Sequence, residues 1–300
     1  MQTSANPANA EWTGSNQAYR RIEVEPLAGA LGAEIHGVNL AQTLDDETVE
    51  EIQRALLEHL AIFFRDQQLS VEQHKAFSRR FGTLNVHPQY VPLDGDPEIF
   101  PVVKDPTDQH NIGGVWHSDV TFLPEPSLGS VLYGIEVPPV GGDTMFANQY
   151  LAYDTLSDGM KQMLDGLKAL HSDRTLSDPV EAARRNATRT TKIAEEAIGK
   201  PPIESLHPVV RTHPQTGRKC LFVNRAFTRH FEGMSEAESK PLLDYLYAHA
   251  VRPEFTCRFR WQPNSVAFWD NRCTQHYAIN DYPGHRRYMH RVTINGDRPV

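Results

Sequence analysis

The chain has 300 residues, a formal net charge of −8 and 39% hydrophobic residues. The acid excess excludes the basic face that a nucleic-acid partner requires, and no apolar run reaches the roughly 18 residues of a membrane-spanning helix. Cys220, Cys257 and Cys273 make neither a disulfide framework nor a C-x-x-C metal motif, so a reducing, cytoplasmic setting is expected.

Residues 1–20 are rich in Asn, Ala and Ser and lack an apolar signal-peptide core. They are expected to be a disordered N-terminal tail, with residues 21–300 forming a single domain. Arg21–Leu27 and Ala33–Val38 predict two paired strands. Asp45 or Asp46 caps a helix with Val49, Ile52, Leu56 and Leu60 on one face, and Leu60–Phe64 predicts a buried strand. Ser70 and Gln73 form a capping box for a second helix, which Gly82 can end.

Between His87 and His110 the chain is loop-like, with one strand at Ile99–Val103. A strand near Leu128–Val137, a turn at Pro138–Gly142 and a strand from Asp143 follow. Ser157 opens a helix whose Met160, Met163, Leu164 and Leu167 are spaced for core packing. Residues 177–205 are polar and weakly patterned, which predicts a lid insertion. A hairpin over His207–Val223, a helix capped by Ser235, and strands at Phe255–Trp261 and Ser265–Trp269 complete the chain. Many short strands with a few helices predict a mainly β fold with flanking helices and a jelly-roll core.

The chemistry-bearing residues begin with His117 and Asp119. In an extended segment, side chains two apart point to one face, so an imidazole and a carboxylate can address one metal ion. His276, after a predicted strand, is the candidate third ligand. Two His and one carboxylate with open positions is the arrangement of non-heme Fe(II) oxygenases. On a strand over Arg286–Ile294, Arg287, Met289, Arg291 and Thr293 share a face. Two inward guanidiniums are costly unless each meets an anion.

Together, His117-X-Asp119, distal His276, Gly141-Gly142-Asp143-Thr144 and Arg287…Arg291 resemble the taurine dioxygenase / 2,4-dichlorophenoxyacetate dioxygenase family. The resemblance runs from Arg21 to Pro299 and implies a double-stranded β-helix core. It implies that His117, Asp119 and His276 hold Fe(II), and that Thr144 and Arg287 bind the distal carboxylate of 2-oxoglutarate. It further implies that Arg291, His87, Tyr90, Val120 (through its N–H) and Phe227 bind a small anionic organic substrate. Expected chemistry is O2-dependent hydroxylation next to the substrate's heteroatom, with release of succinate and CO2 and fragmentation of the product. A homo-oligomer, dimer or tetramer, is also expected from the resemblance. Taurine-specific relatives carry an Asn four residues before the first ligand His, where this chain has Gly113. A taurine-like alkyl sulfonate therefore stands beside alkyl sulfate esters and phenoxyalkanoates. The rival readings are a metal-binding jelly roll without turnover and a zinc hydrolase using the same ligands.

Overall fold

Residues 18–300 are described by the structure, a computed structural model. Most of the expected tail, residues 1–17, lies outside the described residues. Arg20 already belongs to the fold, because its amide donates to the Glu51 carboxylate at 2.8 Å. The alternating residues after it form β1 (Glu23–Pro26), antiparallel to β2 (Ala33–His36). Helix α1 (Asp46–His59) starts where the Asp45 carboxylate accepts the Thr48 amide, and stops where Leu60 turns to φ 64°. Leu60 is therefore the helix cap, and the buried strand β3 is Ala61–Phe64. Helix α2 (Val71–Arg79) has the Ser70–Gln73 capping box. It ends before Gly82, because the Arg80 and Phe81 amides already turn back to Phe77 and Ser78.

The next elements are β4 (Leu84–Asn85), β5 (Ile99–Lys104), β6 (Gly129–Glu136), β7 (Thr144–Asn148) and α3 (Gln149–Asp154). Helix α4 (Asp158–Leu164) is capped by Ser157 as expected, but it buries only Leu164. Met163 is 48% exposed and Leu167 lies beyond the helix. Two turns are too short to carry the apolar face that the Met spacing suggests.

After β8 (Lys168–Ser172) come α5 (Arg174–Ser177) and α6 (Pro179–Ala187). Part of the segment expected to be unpatterned is thus helical. Its start signals are Asp178, whose carboxylate accepts the Glu181 amide, and Pro179 in the first turn. The rest is β9 (Glu204–Pro208), β10 (Val210–Thr212), β11 (Lys219–Leu221), β12 (Thr228–Phe231), α7 (Glu236–Ala250), β13 (Thr256–Phe259), β14 (Val266–Asp270), β15 (Thr274–Ala278) and β16 (Arg287–Ile294).

The large sheet runs β1-β2-β3-β14-β6-β16-β4, with β5 also paired to β16. A smaller sheet, β13-β7-β15, lies against one of its faces. Phe63, Leu132, Ala267, Trp269 and Met289 from the large sheet meet Phe146, Cys257 and Phe259 from the small one. Phe63 stacks on Phe259 with ring centroids 4.0 Å apart. The alternate residues Ile62, Phe64, Val131, Val266 and Phe268 face Ile52, Ala55 and Leu56 of α1 and Phe77 of α2. Period-two alternation thus serves two cores at once, and each fully buried large side chain contributes about 1.5–3 kcal/mol. Strands β8, β9 and β12 form a separate sheet, whose Ala169 and Phe231 pack with Leu243 and Leu246 of α7. Sheets packed face to face with helices outside are the expected jelly-roll architecture. No helix among the described residues is long and apolar enough to cross a membrane.

Candidate functional site

Local backbone pairing builds the site. His117 is extended and bridges β15: its N–H donates to the His276 carbonyl at 3.1 Å, and the His276 N–H donates back at 2.8 Å. This pairing places the two imidazoles side by side, 4.1 Å between ring centroids. Asp119, two residues on, reaches the same point. Its Oδ1 lies 3.7 Å from His117 Nε2 and 3.8 Å from His276 Nε2. All three side chains are buried, and one ligand atom from each lies within 4.8 Å of the others.

The surroundings orient these ligands. His117 Nδ1 is 2.7 Å from the Val115 carbonyl. A carbonyl only accepts, so Nδ1 carries the proton and Nε2 presents a lone pair. His276 packs on Trp269 at 4.7 Å, and its Nδ1 finds no acceptor among the described residues. Asp119 Oδ2 accepts from Ser130 Oγ at 2.9 Å and Asn271 Nδ2 at 3.2 Å, and Trp269 Nε1 in turn fixes Asn271. Burial pushes both imidazoles down and keeps them neutral. Burial would push Asp119 up, but Arg291, His276 and His117 outweigh it and hold the carboxyl well below its ordinary range. Two neutral imidazoles and a carboxylate are the donor set that binds a first-row divalent metal.

Arg291, on the inward face of β16, donates from Nη1 to Asp119 Oδ1 at 2.8 Å and stacks over Phe100 at 4.8 Å. His87, Tyr90, Val120 and Phe227 join it in lining a cavity of about 550 Å³ that His117 and Asp119 also line. His87 Nδ1 accepts the Gln89 amide at 3.1 Å, so its proton sits on Nε2. Desolvation, then neighbouring Arg291, push its pKa down to about 3. Val120 is buried at φ 45°, a strained conformation for a β-branched residue. Phe227 meets Phe122 at 5.1 Å and His117 at 6.3 Å. Gly113 also lines the cavity at φ 80°, where a Cβ would lie 3.3 Å from the His117 ring.

Thr144 and Arg287 are not among the residues lining that cavity. They meet across Trp261, whose Nε1 donates to Thr144 Oγ1 at 2.9 Å and whose ring lies 5.6 Å from the Arg287 guanidinium carbon. Arg287 is buried, and its Nε and Nη2 have no hydrogen-bond partner among the described residues. The buried Tyr282 hydroxyl also lacks one and acts electrostatically with Arg287. A buried cation with unspent donors is costly until an anion meets it.

Sequence reasoning missed the Ser130–Asn271 support of Asp119, together with Trp261 and Tyr282. It also missed Arg185, Arg189 and Arg229, which line the cavity far from any motif. Only the proximity of Asn271 to His276 could have drawn attention to one of them.

A second buried cluster, His213, Asp270 and Cys273, has equally close ligand atoms. Its lone pairs are spent. Asp270 accepts from Arg272 Nε, Nη2 and the backbone amide, and pairs with His213 Nε2 at 3.1 Å. His213 Nδ1 accepts the Gln215 and Thr216 amides. Burial holds the Cys273 thiol well above its ordinary pKa, so it is not a thiolate.

Comparison with known proteins gives the family. Residues 23–293 match the family described as "Taurine catabolism dioxygenase TauD, TfdA family". The chain is 37% identical over 284 residues to an alpha-ketoglutarate-dependent sulfate ester dioxygenase of Pseudomonas putida, covering 93% of this chain and 91% of that protein. It is also 37% identical over 280 residues to an alkylsulfatase of Acinetobacter baylyi, covering 93% and 86%. The crystal structure of a taurine dioxygenase from Burkholderia xenovorans superposes with a TM-score of 0.78 at 38% identity, covering 94% of this chain and 93% of that one. The chain therefore belongs to the TauD/TfdA family and is an alpha-ketoglutarate-dependent dioxygenase.

Proposed function

We propose that this dioxygenase oxidises an alkyl sulfate ester that lacks an amine, using Fe(II) held by His117, Asp119 and His276. The observation that carries the substrate class is the charge of the cavity wall. Among the described residues Asp119 is the sole carboxylate lining it, whereas Arg185, Arg189, Arg225, Arg229 and Arg291 all line it. A substrate ammonium has no free anionic partner there, and Gly113 offers no side chain. The taurine-like sulfonate expected from the sequence keeps its anion site but has no seat for its amine. Two relatives of about equal identity, an alkylsulfatase and a sulfate ester dioxygenase, support the ester.

Bound Fe(II), with 2-oxoglutarate and O2, supplies the oxidation: one oxygen atom goes to succinate, one to the substrate carbon, and CO2 leaves. The protein's own groups position the reactants. Ser130 and Asn271 hold Asp119 Oδ2, which leaves Oδ1 facing both imidazoles. Arg287, with Thr144 and Tyr282 beside it, receives the distal carboxylate of 2-oxoglutarate in a charge-assisted pair. Arg291 exchanges part of its contact with Asp119 for a sulfate oxygen, and His87 Nε2–H donates to the same group. Phe122, Phe227 and Val120 keep the reacting carbon dry. Hydroxylation beside the ester oxygen gives an unstable adduct, which breaks its C–O bond to release an aldehyde and sulfate. Residues 177–205, through Arg185 and Arg189, form part of the wall and act as the lid.

The test is substrate-dependent succinate formation across alkyl sulfates, alkyl sulfonates, taurine and phenoxyalkanoates. Alkyl sulfates are expected to give the largest kcat/KM, and a preference for taurine would overturn the reading. Arg291→Ala should weaken substrate while sparing 2-oxoglutarate binding, and Arg287→Ala should do the reverse. Loss of the same ligand in both variants would refute this division of roles.

A further inference from the structure

The cavity wall contains a second group of cations to which the reaction described above assigns no contact with the substrate. Arg185 lies on α6, Arg189 shortly after it, and Arg229 on β12. The arginines next to them are neutralised: Arg174 pairs with Glu236, Arg184 with Glu181 and Arg225 with Asp244. Among the described residues, Arg185, Arg189 and Arg229 have no carboxylate within 4.0 Å. The Nε atom of each is buried without a hydrogen-bond partner. Arg229 does donate from Nη2 to the Ser172 carbonyl at 2.9 Å.

Arg185, Arg189 and Arg229 line the same cavity wall, and the charge of Arg185 acts on both of the others. Burial is the main cause that lowers the pKa of Arg189 and Arg229; Arg185 adds to it at both and Arg174 at Arg229, against opposing pulls, weaker than burial, of Tyr90 on Arg189 and Glu236 on Arg229. Arg291 acts instead on His87, His117, Asp119 and His276. Arg291, which is paired with Asp119, and this group of three, which has no carboxylate within 4.0 Å among the described residues, share one cavity of about 550 Å³, with Phe122, Leu176 and Phe227 also in its wall. Like charges crowded in a half-buried wall without a counter-ion are unfavourable by themselves. Guanidinium forks match an oxyanion, which would use the unspent donors.

We infer that Arg185, Arg189 and Arg229 form a second oxyanion subsite, so that the enzyme takes an elongated substrate carrying two anionic groups. One group sits at Arg291 beside the reacting carbon, and the other is clamped by Arg185, Arg189 and Arg229. An apolar chain spans the stretch between them. This inference rests on the functional reading given above for its reacting end.

The experiment compares α,ω-alkanediol bis-sulfates, from butanediol to decanediol, with the monosulfates of the same chains. The kcat/KM for succinate formation of the holoenzyme is expected to favour the bis-sulfate by about tenfold or more at one or more lengths, the scale of one charge-assisted pair. That ratio should fall toward unity in Arg189→Gln and Arg229→Gln, with folding checked by circular dichroism. A ratio near one at every length, or a ratio unchanged in both variants, overturns the subsite. Calorimetric binding of the same pairs to manganese-loaded enzyme separates the two claims. If no ester is oxidised, yet the bis-sulfate binds about tenfold tighter and loses that advantage in both variants, the subsite stands and the assigned reaction fails. Equal affinities would refute the subsite whatever the turnover.

Discussion

Two buried clusters among the described residues, His117–Asp119–His276 and His213–Asp270–Cys273, each pair a His with an Asp, and in each the ligand atoms lie within 4.8 Å of one another. They differ in what their lone pairs are doing. In the first, Val115 fixes the His117 tautomer, and Asp119 Oδ1 meets only Arg291 and the imidazoles. In the second, Arg272, His213 and backbone amides use every acceptor. Proximity of His and Asp thus defines a metal site only where donors remain unspent. The second cluster has its own task. It pins the turn between β14 and β15, where Thr274 Oγ1 donates to the Asp270 carbonyl at 2.7 Å, and so positions the strand that carries His276.

This contrast can be broken by experiment. Asp119→Ala should lower succinate formation on the order of a thousandfold while leaving the circular dichroism spectrum unchanged. Unfolding of that variant would show that the first cluster is structural. Asp270→Asn should have the opposite signature. It strips a buried guanidinium of its partner and should cost about 3–5 kcal/mol in urea denaturation, with Mn(II) binding retained by the folded fraction. Manganese titration should likewise give a single site that His276→Ala removes and His213→Gln keeps; the reverse result would exchange the two assignments.

Smaller effects sharpen the comparison. Gly113→Ala introduces a Cβ 3.3 Å from the His117 ring at φ 80°. It should cost about 1–2 kcal/mol and weaken metal binding, both measurable by denaturation with and without Mn(II). His74, outside both clusters, changes little near neutral pH. Burial pushes its pKa down from 6.5 to about 3, and it must stay neutral in the fold. The unfolded chain therefore binds the proton first, so stability falls as pH drops from 6.5 toward about 3 and levels off below. His74→Gln should flatten that slope in pH-dependent denaturation; an unchanged slope would place acid sensitivity elsewhere.

Local patterns located most elements. Capping boxes at Ser70 and Ser235 open helices, alternation at Phe255–Trp261 becomes a half-buried strand, and Arg287, Met289, Arg291 and Thr293 share the inward face of β16. Local pattern failed where the determining signal was a single cap. Helix α6 rests on Asp178 and Pro179 amid polar residues, and Met163 was left exposed by a helix of two turns.

The residue types of the donor set and the mainly β class with a jelly-roll core were legible in the sequence, because strand periodicity is a local property, and the dioxygenase family was legible through the resemblance of the His117-X-Asp119, His276, Thr144 and Arg287…Arg291 motifs to that family. Tertiary structure decided the rest. It paired His117 with His276 across 159 residues of separation in sequence, set Ser130 and Asn271 behind Asp119, and spent the lone pairs of one His–Asp cluster while sparing the other. It also gathered Arg185, Arg189 and Arg229 around one cavity. No sequence period encodes such arrangements, because each depends on which donors and acceptors meet once the sheets have packed.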